Sequence, residues 1–110
     1  MIVGYARTST ADQVAGLEAQ RKELSQAGVE KIFDERVSSI AERAALNQAL
    51  DFVREGDQLV VTKLDRLARS VRDLMEIIET LRNKGATLRI LSMDLDTSSA
   101  TGKLILGLLG

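Results

Sequence analysis

The sequence predicts an α/β fold of three layers, in which a mostly parallel sheet of four to five strands carries helices on both faces. Short apolar runs typical of buried strands alternate with segments of helical periodicity along the whole chain. The chain has 110 residues, of which 45% are hydrophobic, and this suits one domain with a substantial core. It contains no proline, which leaves no sign of a linker. Because strands and helices alternate, crossover connections should place the strands parallel to one another.

The first half of the chain contains two predicted strands and two predicted helices. Ile2–Ala6 is typical of a short buried strand, and Glu30–Asp34 shows the weaker pattern of a second strand. Leu17–Ala27 has helical periodicity and is followed by Gly28, the residue type that most easily adopts the left-handed conformation after a helix. A second helix is predicted over Arg43–Glu55, where apolar residues recur at helical spacing.

The second half repeats this alternation and ends within a helical pattern. Leu59–Val61 is the clearest strand of the chain, and Leu88–Leu91 predicts a fourth strand. Between them Ser70 and Asp73 have the spacing of a capping box, which marks the start of a helix. The stripe of this helix consists of Val71, Leu74, Met75, Ile78 and Leu81. Thr101–Gly110 is strongly apolar and predicts the beginning of a further helix.

The composition excludes several kinds of chemistry. Without Cys there is no disulfide, thiolate nucleophile or thiolate metal site, and without His there is no Ser-His-Asp catalysis or imidazole-bound zinc. The net charge of −1 gives no bulk electrostatic argument for nucleic acid, although ten of the 15 cationic residues are Arg. No signal peptide and no apolar run of membrane-spanning length is present, so we expect a cytoplasmic protein.

The chemistry is expected where the predicted strands end, because open parallel sheets bind ligands beyond the carboxyl ends of their strands. The first strand leads into Arg7 and Ser9, the third leads into Lys63–Arg69, and Arg43 opens the second helix. The candidate residues are therefore Arg7, Ser9, Arg43, Asp65, Arg66 and Arg69. A hydroxyl surrounded by guanidinium groups suits phosphoryl transfer, in which negative charge spreads over the non-bridging oxygens.

Each of these residues also has an ordinary structural interpretation. Ser9 and Thr10 could cap a helix, as hydroxyl residues after a strand commonly do. Arg66 and Arg69, three residues apart, could be a pair of surface side chains, and Asp65 could balance a helix dipole. Each interpretation is favoured when its residue is taken alone. Their shared location at the predicted ligand-binding edge favours a functional site.

Several motifs resemble the catalytic domain of the serine recombinases, the resolvase/invertase family. They are Gly4–Thr10, the following Asp12-Gln13, Gly56–Val61, Lys63–Arg69 and Asp96–Ser99, in the order and spacing of that family. The resemblance covers essentially the whole chain. It implies a resolvase-like catalytic domain and a site-specific DNA recombinase, which cuts and rejoins DNA through a covalent 5′-phosphoserine intermediate.

The resemblance also implies roles for individual residues. Ser9 matches the nucleophile of the family. The residues that match its phosphate-binding arginines are Arg7, Arg43, Arg66 and Arg69. Asp65 matches an aspartate that is a candidate for proton transfer or for orienting an arginine, and Gln13 and Gln20 match accessory polar residues. The family needs no metal and no nucleotide or other small-molecule cofactor.

The partners implied by the resemblance are double-stranded DNA and further copies of the chain, first as a homodimer and then as a synaptic homotetramer. In this family a long interface helix continues beyond the position of Gly110, and a helix-turn-helix domain follows it. We therefore expect residues 1–110 to be a catalytic domain truncated within that helix, without the DNA-binding domain.

Two other functional classes are considered. A non-catalytic α/β regulatory or binding domain of the receiver type would have a similar size and alternation, but it needs a clustered acidic pocket and an Asp at the end of the third strand. Asp65 does follow the third strand, whereas the first strand ends in Arg7 and Ser9 instead of acidic residues. A metal-dependent nuclease of similar fold is disfavoured because carboxylates are sparse at the predicted strand ends.

Overall fold

A computed structural model describes residues 1–8, 14–36, 44–64, 67–68 and 70–99. Its elements alternate as the sequence predicts. The strands are β1 (Ile2–Thr8), β2 (Lys31–Arg36), β3 (Gln58–Val61), β4 (Thr87–Ile90) and β5 (Leu95–Asp96). The helices are α1 (Val14–Gln26), α2 (Ala44–Phe52) and α3 (Val71–Asn83), and a single 3₁₀ turn spans Leu91–Met93.

The five strands form one sheet in the order β2-β1-β3-β4-β5. The first four strands in the chain are parallel, and β5 pairs with β4 in the antiparallel direction. The chain passes from β1 outward to β2 on one side and then back to β3 on the other. This reversal makes the carboxyl ends of β1 and β3 the topological switch point, where doubly wound sheets bind their ligands.

Helices pack on both faces of the sheet, so the predicted three-layer α/β class is confirmed. Helices α2 and α3 cover one face with Leu46, Leu74 and Leu81, which belong to a main core shared with side chains of β1, β3 and β4. Phe33 of β2 packs against this core. Helix α1 covers the other face with a smaller cluster built around Leu17 and Leu24. Successive residues of β1 and β3 face these two clusters in turn, as the period of two in a strand requires.

The local signals identified in the sequence explain where two helices begin or end. Ser70 caps α3, and its Oγ accepts a hydrogen bond from the backbone N–H of Asp73 at 3.1 Å. This confirms the predicted capping relation. Gly28 follows α1 with a φ of +89°, in the left-handed region that a side chain makes costly. The helix of 13 residues therefore ends where the sequence indicates.

Polar contacts join the strands at their amino ends. The amino group of Met1 forms an ion pair with Asp57 at 2.8 Å, and Asp57 also accepts the backbone N–H of Arg54 at 3.0 Å. The Glu30 carboxylate accepts the N–H of Ile2 at 3.0 Å. These contacts fix the starts of β1, β2 and β3 relative to one another. We call this side of the sheet the amino edge.

The structure differs from the sequence prediction in its boundaries. Strand β1 continues to Thr8 and β2 to Arg36, two residues further than the predicted strands, because the two pair in register along this whole length. The predicted helix over Thr101–Gly110 lies outside the described residues. Among the helices that are described, none combines the length and apolar character that crossing a membrane requires.

Candidate active site

The switch point brings charged residues to the carboxyl ends of the strands, on the side we call the carboxyl edge. Arg7 is the penultimate residue of β1 and lies opposite Glu35 of β2 in the parallel register. Next to β1, strand β3 ends at Val61 and is followed by buried Thr62 and exposed Lys63. The structure therefore places Arg7 at the edge where the sequence predicts the site.

Gln20 holds the backbone of Arg7 with both ends of its side-chain amide. Its Nε2 donates to the carbonyl oxygen of Arg7 at 2.9 Å, and its Oε1 accepts the N–H of Arg7 at 3.2 Å. The side chain lies on α1 and is only 7% exposed. Its amide takes the place of a neighbouring strand and satisfies both backbone groups, which would be costly to bury unpaired. Gln20 thus fixes the backbone two residues before Ser9.

Glu35 connects three elements at the same edge. Its Oε2 accepts the hydroxyl hydrogen of buried Tyr5 at 2.5 Å. The same carboxylate accepts two N–H groups from the first turn of α2, from Ala45 at 3.2 Å and from Leu46 at 3.3 Å. A helix N-terminus carries unpaired N–H groups and positive partial charge, so a carboxylate is its natural partner. The contact joins β1, β2 and α2.

The connection after β3 is held by backbone bonds. The carbonyl oxygen of Leu64 accepts the N–H groups of Leu67 and Ala68, both at 3.0 Å. Leu67 is fully buried in the main core. The carbonyl oxygen of Thr62 accepts the N–H of Ser92 from the 3₁₀ turn at 2.9 Å. These contacts anchor both sides of the segment that carries Asp65 and Arg66.

Among the predicted site residues, the structure describes two. It brings Arg7 and Gln20 together through the amide contact given above. The others lie outside the described residues, and their assignments remain predictions; they are Ser9, Gln13, Arg43, Asp65, Arg66 and Arg69.

Sequence analysis did not identify Tyr5 and Glu35 as members of this edge. The signal that could have found Glu35 is a carboxylate at the end of a predicted strand, shortly before a predicted helix begins. Tyr5 has the weaker signal of being the only tyrosine, in a strand whose other residues are small or aliphatic up to Arg7.

The motif Asp96–Ser99 lies away from the carboxyl edge. Asp96 accepts the N–H and the hydroxyl of Ser98, at 2.8 and 2.6 Å, and the side-chain amide of Gln58 at 3.2 Å. Partial burial by itself raises the pKa of Asp96, but the hydrogen bonds from Ser98 and Gln58 outweigh it and lower the pKa below its usual value. Because Gln58 begins β3, this motif closes the amino edge.

The described residues offer no cluster for a metal ion. Across the ranges that the structure describes, no three His, Cys, Asp or Glu side chains gather closely enough to share one. The charged groups described at the carboxyl edge include Arg7, Glu35 and Lys63. The arrangement is therefore that of a polar edge at the switch point of an α/β sheet, with Arg7 near the end of one of the two strands that form the switch point.

Comparison with known proteins identifies the class of this domain. The family model for the resolvase N-terminal domain matches residues 2–110. A DNA-invertase, hin, of Salmonella typhimurium is 46% identical over 102 residues, which cover 92% of this chain and 53% of that protein. The DNA-invertase of Escherichia phage P1 is 42% identical over 111 residues, which cover all of this chain and 59% of that protein.

Solved structures agree with this result. The N-terminal catalytic domain of TP901-1 integrase has a TM-score of 0.82 and 26% sequence identity, and the match covers 98% of this chain and 89% of that one. A resolvase family site-specific recombinase from Streptococcus pneumoniae shares the fold with a TM-score of 0.81, over 98% of this chain and 81% of that one, at 24% identity.

The chain belongs to the resolvase N-terminal domain family, the catalytic domains of the serine recombinases. This membership confirms the resemblance found in the sequence and disfavours the receiver and metal-nuclease alternatives. The chain spans between about half and three fifths of the length of the curated relatives named here.

Proposed function

We propose that this domain is the catalytic part of a site-specific DNA recombinase that cuts and rejoins DNA with Ser9 as its nucleophile. The observation that carries the proposal is the position of Arg7 at the carboxyl end of β1, beside the switch point, with Ser9 two residues further along the chain. The relatives named DNA-invertase support the same reaction class.

The reaction is a transesterification that conserves one phosphodiester bond. Ser9 Oγ attacks the phosphorus, the Oγ–P bond forms as the bond from phosphorus to the 3′ oxygen breaks, and that oxygen leaves with a proton as a 3′-hydroxyl. The protein then holds the 5′-phosphate. The hydroxyl of a partner strand reverses these steps and releases Ser9. The bond energy is retained throughout, so rejoining needs no nucleotide.

The arginines supply the positive charge. We assign Arg7, Arg43, Arg66 and Arg69 to the scissile phosphate, where a guanidinium can donate two hydrogen bonds to non-bridging oxygens. Asp65 is the candidate to accept the proton of Ser9 or to orient an arginine, and Gln13 is an accessory polar residue. Gln20 acts through the backbone of Arg7, in keeping with its two amide contacts.

The proposed partners are double-stranded DNA and other copies of the chain, in a homodimer that pairs into a synaptic tetramer. We also propose that the domain works joined to a helix-turn-helix DNA-binding domain through a long interface helix. The length of the relatives, of which this chain covers 53% and 59%, supports this arrangement. A domain with a net charge of −1 offers little of the phosphate attraction that DNA binding requires.

The proposal is tested by measuring whether a covalent adduct forms between the protein and DNA. The chain, joined to its DNA-binding domain, is incubated with a nicked DNA duplex that carries the cognate site, and protein–DNA adducts are resolved under denaturing conditions. We expect an adduct with the unmodified protein and none with Ser9→Ala, whereas binding of the site stays roughly unchanged. Ser25→Ala, which alters an exposed serine of α1, is the control and should form the adduct normally.

Two results would contradict the proposal at different levels. An adduct that persists in Ser9→Ala shows that another residue is the nucleophile. Absence of any adduct with the unmodified protein and the Ser25→Ala control, although both bind the site, contradicts the recombinase assignment itself.

A further inference from the structure

Helix α2 is held at both ends by charged side chains from other elements. At its N-terminus the Glu35 carboxylate accepts the N–H groups of Ala45 and Leu46 at 3.2 and 3.3 Å. At its C-terminus the Lys84 ammonium donates to the carbonyl oxygens of Leu50 at 2.5 Å and Asp51 at 3.1 Å. The charges have the signs that the helix dipole favours at each end. The contacts restrict sliding of α2 along its axis.

The contact at the N-terminus also connects α2 to β1, the strand that leads to the candidate nucleophile. Glu35 also accepts the hydroxyl of Tyr5 at 2.5 Å, and Tyr5 lies in β1 with its ring in the main core. Tyr5 precedes Arg7 by two residues and Ser9 by four, and Arg43 immediately precedes α2. One carboxylate thus connects the strand that carries Arg7 to the helix that follows Arg43.

We infer that Glu35, together with the Tyr5 hydroxyl, is a positioning device that sets Arg43 relative to Ser9 and Arg7. This inference rests on the proposed function, in which Arg43 binds the scissile phosphate. In this inference Glu35 acts without contacting DNA. Its effect passes through the first turn of α2, because a shift of Ala45 and Leu46 moves the backbone of the residues just before them.

Loss of the contact should affect the reaction more than the binding of DNA. In Glu35→Gln the side chain keeps its shape but loses its charge, and one of its two acceptor oxygens becomes an NH₂ group that faces N–H donors. A displacement of about 1 Å can cost about a hundredfold in rate. We expect the single-turnover rate of adduct formation to fall about tenfold to a hundredfold, with DNA affinity within about twofold of the parent.

Asp34→Asn is the matched control. Asp34 is the neighbouring carboxylate of β2, and it forms an ion pair with Arg21 of α1 and therefore faces the opposite side of the sheet. The substitution replaces a carboxylate of the same strand by an amide and leaves the contacts between Glu35 and α2 unchanged. We expect its adduct to form at the parental rate. Tyr5→Phe removes the hydroxyl contact with Glu35 and leaves the contacts of Glu35 with α2, so its rate of adduct formation should lie between those of Glu35→Gln and Asp34→Asn.

A double-mutant cycle separates positioning from general loss of structure. Arg43→Lys keeps a cation at that position and hence a measurable rate, and Glu35→Gln is compared in the presence of Arg43 and of the lysine. If Glu35 acts through Arg43, its substitution costs clearly less when Arg43 is already replaced. Equal losses on both backgrounds overturn the inference, because a purely structural effect does not depend on the side chain at position 43.

The outcomes also separate this inference from the proposed function. An unchanged rate in Glu35→Gln, with a normal adduct in the parent, overturns the positioning role alone. The positioning role is also overturned if Glu35→Gln and Asp34→Asn lower the rate of adduct formation by the same factor. Absence of an adduct in the parent that binds its site contradicts the recombinase proposal and removes the basis for both.

Discussion

The contacts at the two edges of the sheet join different elements. At the amino edge they join strands to one another, as in the pair of Met1 with Asp57 and the bond from Gln58 to Asp96. At the carboxyl edge they join strands to helices, as when Gln20 of α1 holds the peptide groups of Arg7 and Glu35 of β2 holds the start of α2. The amino edge joins strands to each other. The carboxyl edge fixes the positions from which candidate site residues extend.

This difference indicates a division of work between the two edges, in which the amino edge stabilises the fold and the carboxyl edge supports strand cleavage. Substitutions at the amino edge should change the stability of the fold and leave strand cleavage intact. Substitutions at the carboxyl edge should change cleavage, with or without a change in stability. The same division explains why Asp96–Ser99, although part of the family resemblance, lies among contacts that close the sheet, including the bond from the N–H of Leu88 to Thr97 Oγ1 at 2.8 Å.

The largest effect is expected for Arg7 itself. Arg7→Lys keeps the charge but cannot reproduce the planar fork, and removal of one well-placed donor from a developing anion costs about 10²–10³ in rate. We expect a loss of that size in adduct formation, with the melting temperature nearly unchanged. Arg82→Lys, which alters an exposed residue of α3, is the control and should cleave normally. A parental rate in Arg7→Lys would show that the guanidinium is not needed.

The same assay tests the requirement for metal. Because arginines supply the proposed positive charge and the sequence has neither His nor Cys, we expect the rate to be the same in excess chelator and in added magnesium. Strict dependence on magnesium would contradict the assignment of charge stabilisation to the arginines.

Gln20 should give an intermediate effect that combines stability and cleavage. In Gln20→Glu a carboxylate oxygen replaces the Nε2 group that donates to the carbonyl of Arg7, so two acceptors face each other in a buried place. Leaving a buried group unpaired costs about 1–3 kcal/mol, and we expect a loss of this size in the free energy of unfolding, measured with denaturant. Cleavage should slow as well, because the backbone of Arg7 loses its support.

Gln26→Glu provides the comparison for that measurement. Gln26 is exposed at the end of α1, and its substitution should change the free energy of unfolding by no more than about 0.5 kcal/mol. Equal effects of the two substitutions would contradict the importance of the amide contact with Arg7.

The sequence was most informative where local signals were strong. The capping relation of Ser70 and Asp73, the left-handed Gly28 and the alternation of strands and helices all reflect interactions between near neighbours, and the structure confirms them. The position of Arg7 at the carboxyl edge followed from topology alone. Strand β5 has only two residues, Leu95 and Asp96, and so short a strand has no period that could reveal it.

Contacts between distant segments could not be predicted in this way. The bond from Tyr5 to Glu35 spans 30 residues and depends on the register of β1 with β2, which the sequence does not specify. In the sequence Glu35 is one polar residue among several at the end of a weak strand. Gln20 was identified only through the family resemblance, because a glutamine within a helix is usually solvent-exposed.

The smallest effect is expected at the amino edge, from Asp57. A hydrogen bond from the Met1 ammonium, supported by the N–H of Arg54, lowers the pKa of Asp57 below its ordinary value of 3.8. The hydrogen bond to Asp57 correspondingly raises the pKa of the ammonium above 8.0. The carboxylate therefore stabilises the fold at pH values above its pKa in the unfolded chain, and this stabilisation is lost as the pH falls through its pKa in the folded protein. The ammonium stabilises the fold fully at pH values below its pKa in the unfolded chain, and its stabilisation is lost as the pH rises through its pKa in the folded protein.

Asp57→Asn should consequently lower the melting temperature slightly at about pH 6, where the stability of many proteins is greatest. The difference from the parent should shrink in acid, as Asp57 becomes protonated, and in alkali, as the Met1 amine loses its charge. Glu23→Gln, which removes an exposed carboxylate of α1, should show no such pattern. The rate of adduct formation should equal that of the parent, because these contacts lie at the opposite edge from Arg7. A slower rate at unchanged melting temperature would show that the two edges are coupled and that the division of work proposed for them is wrong.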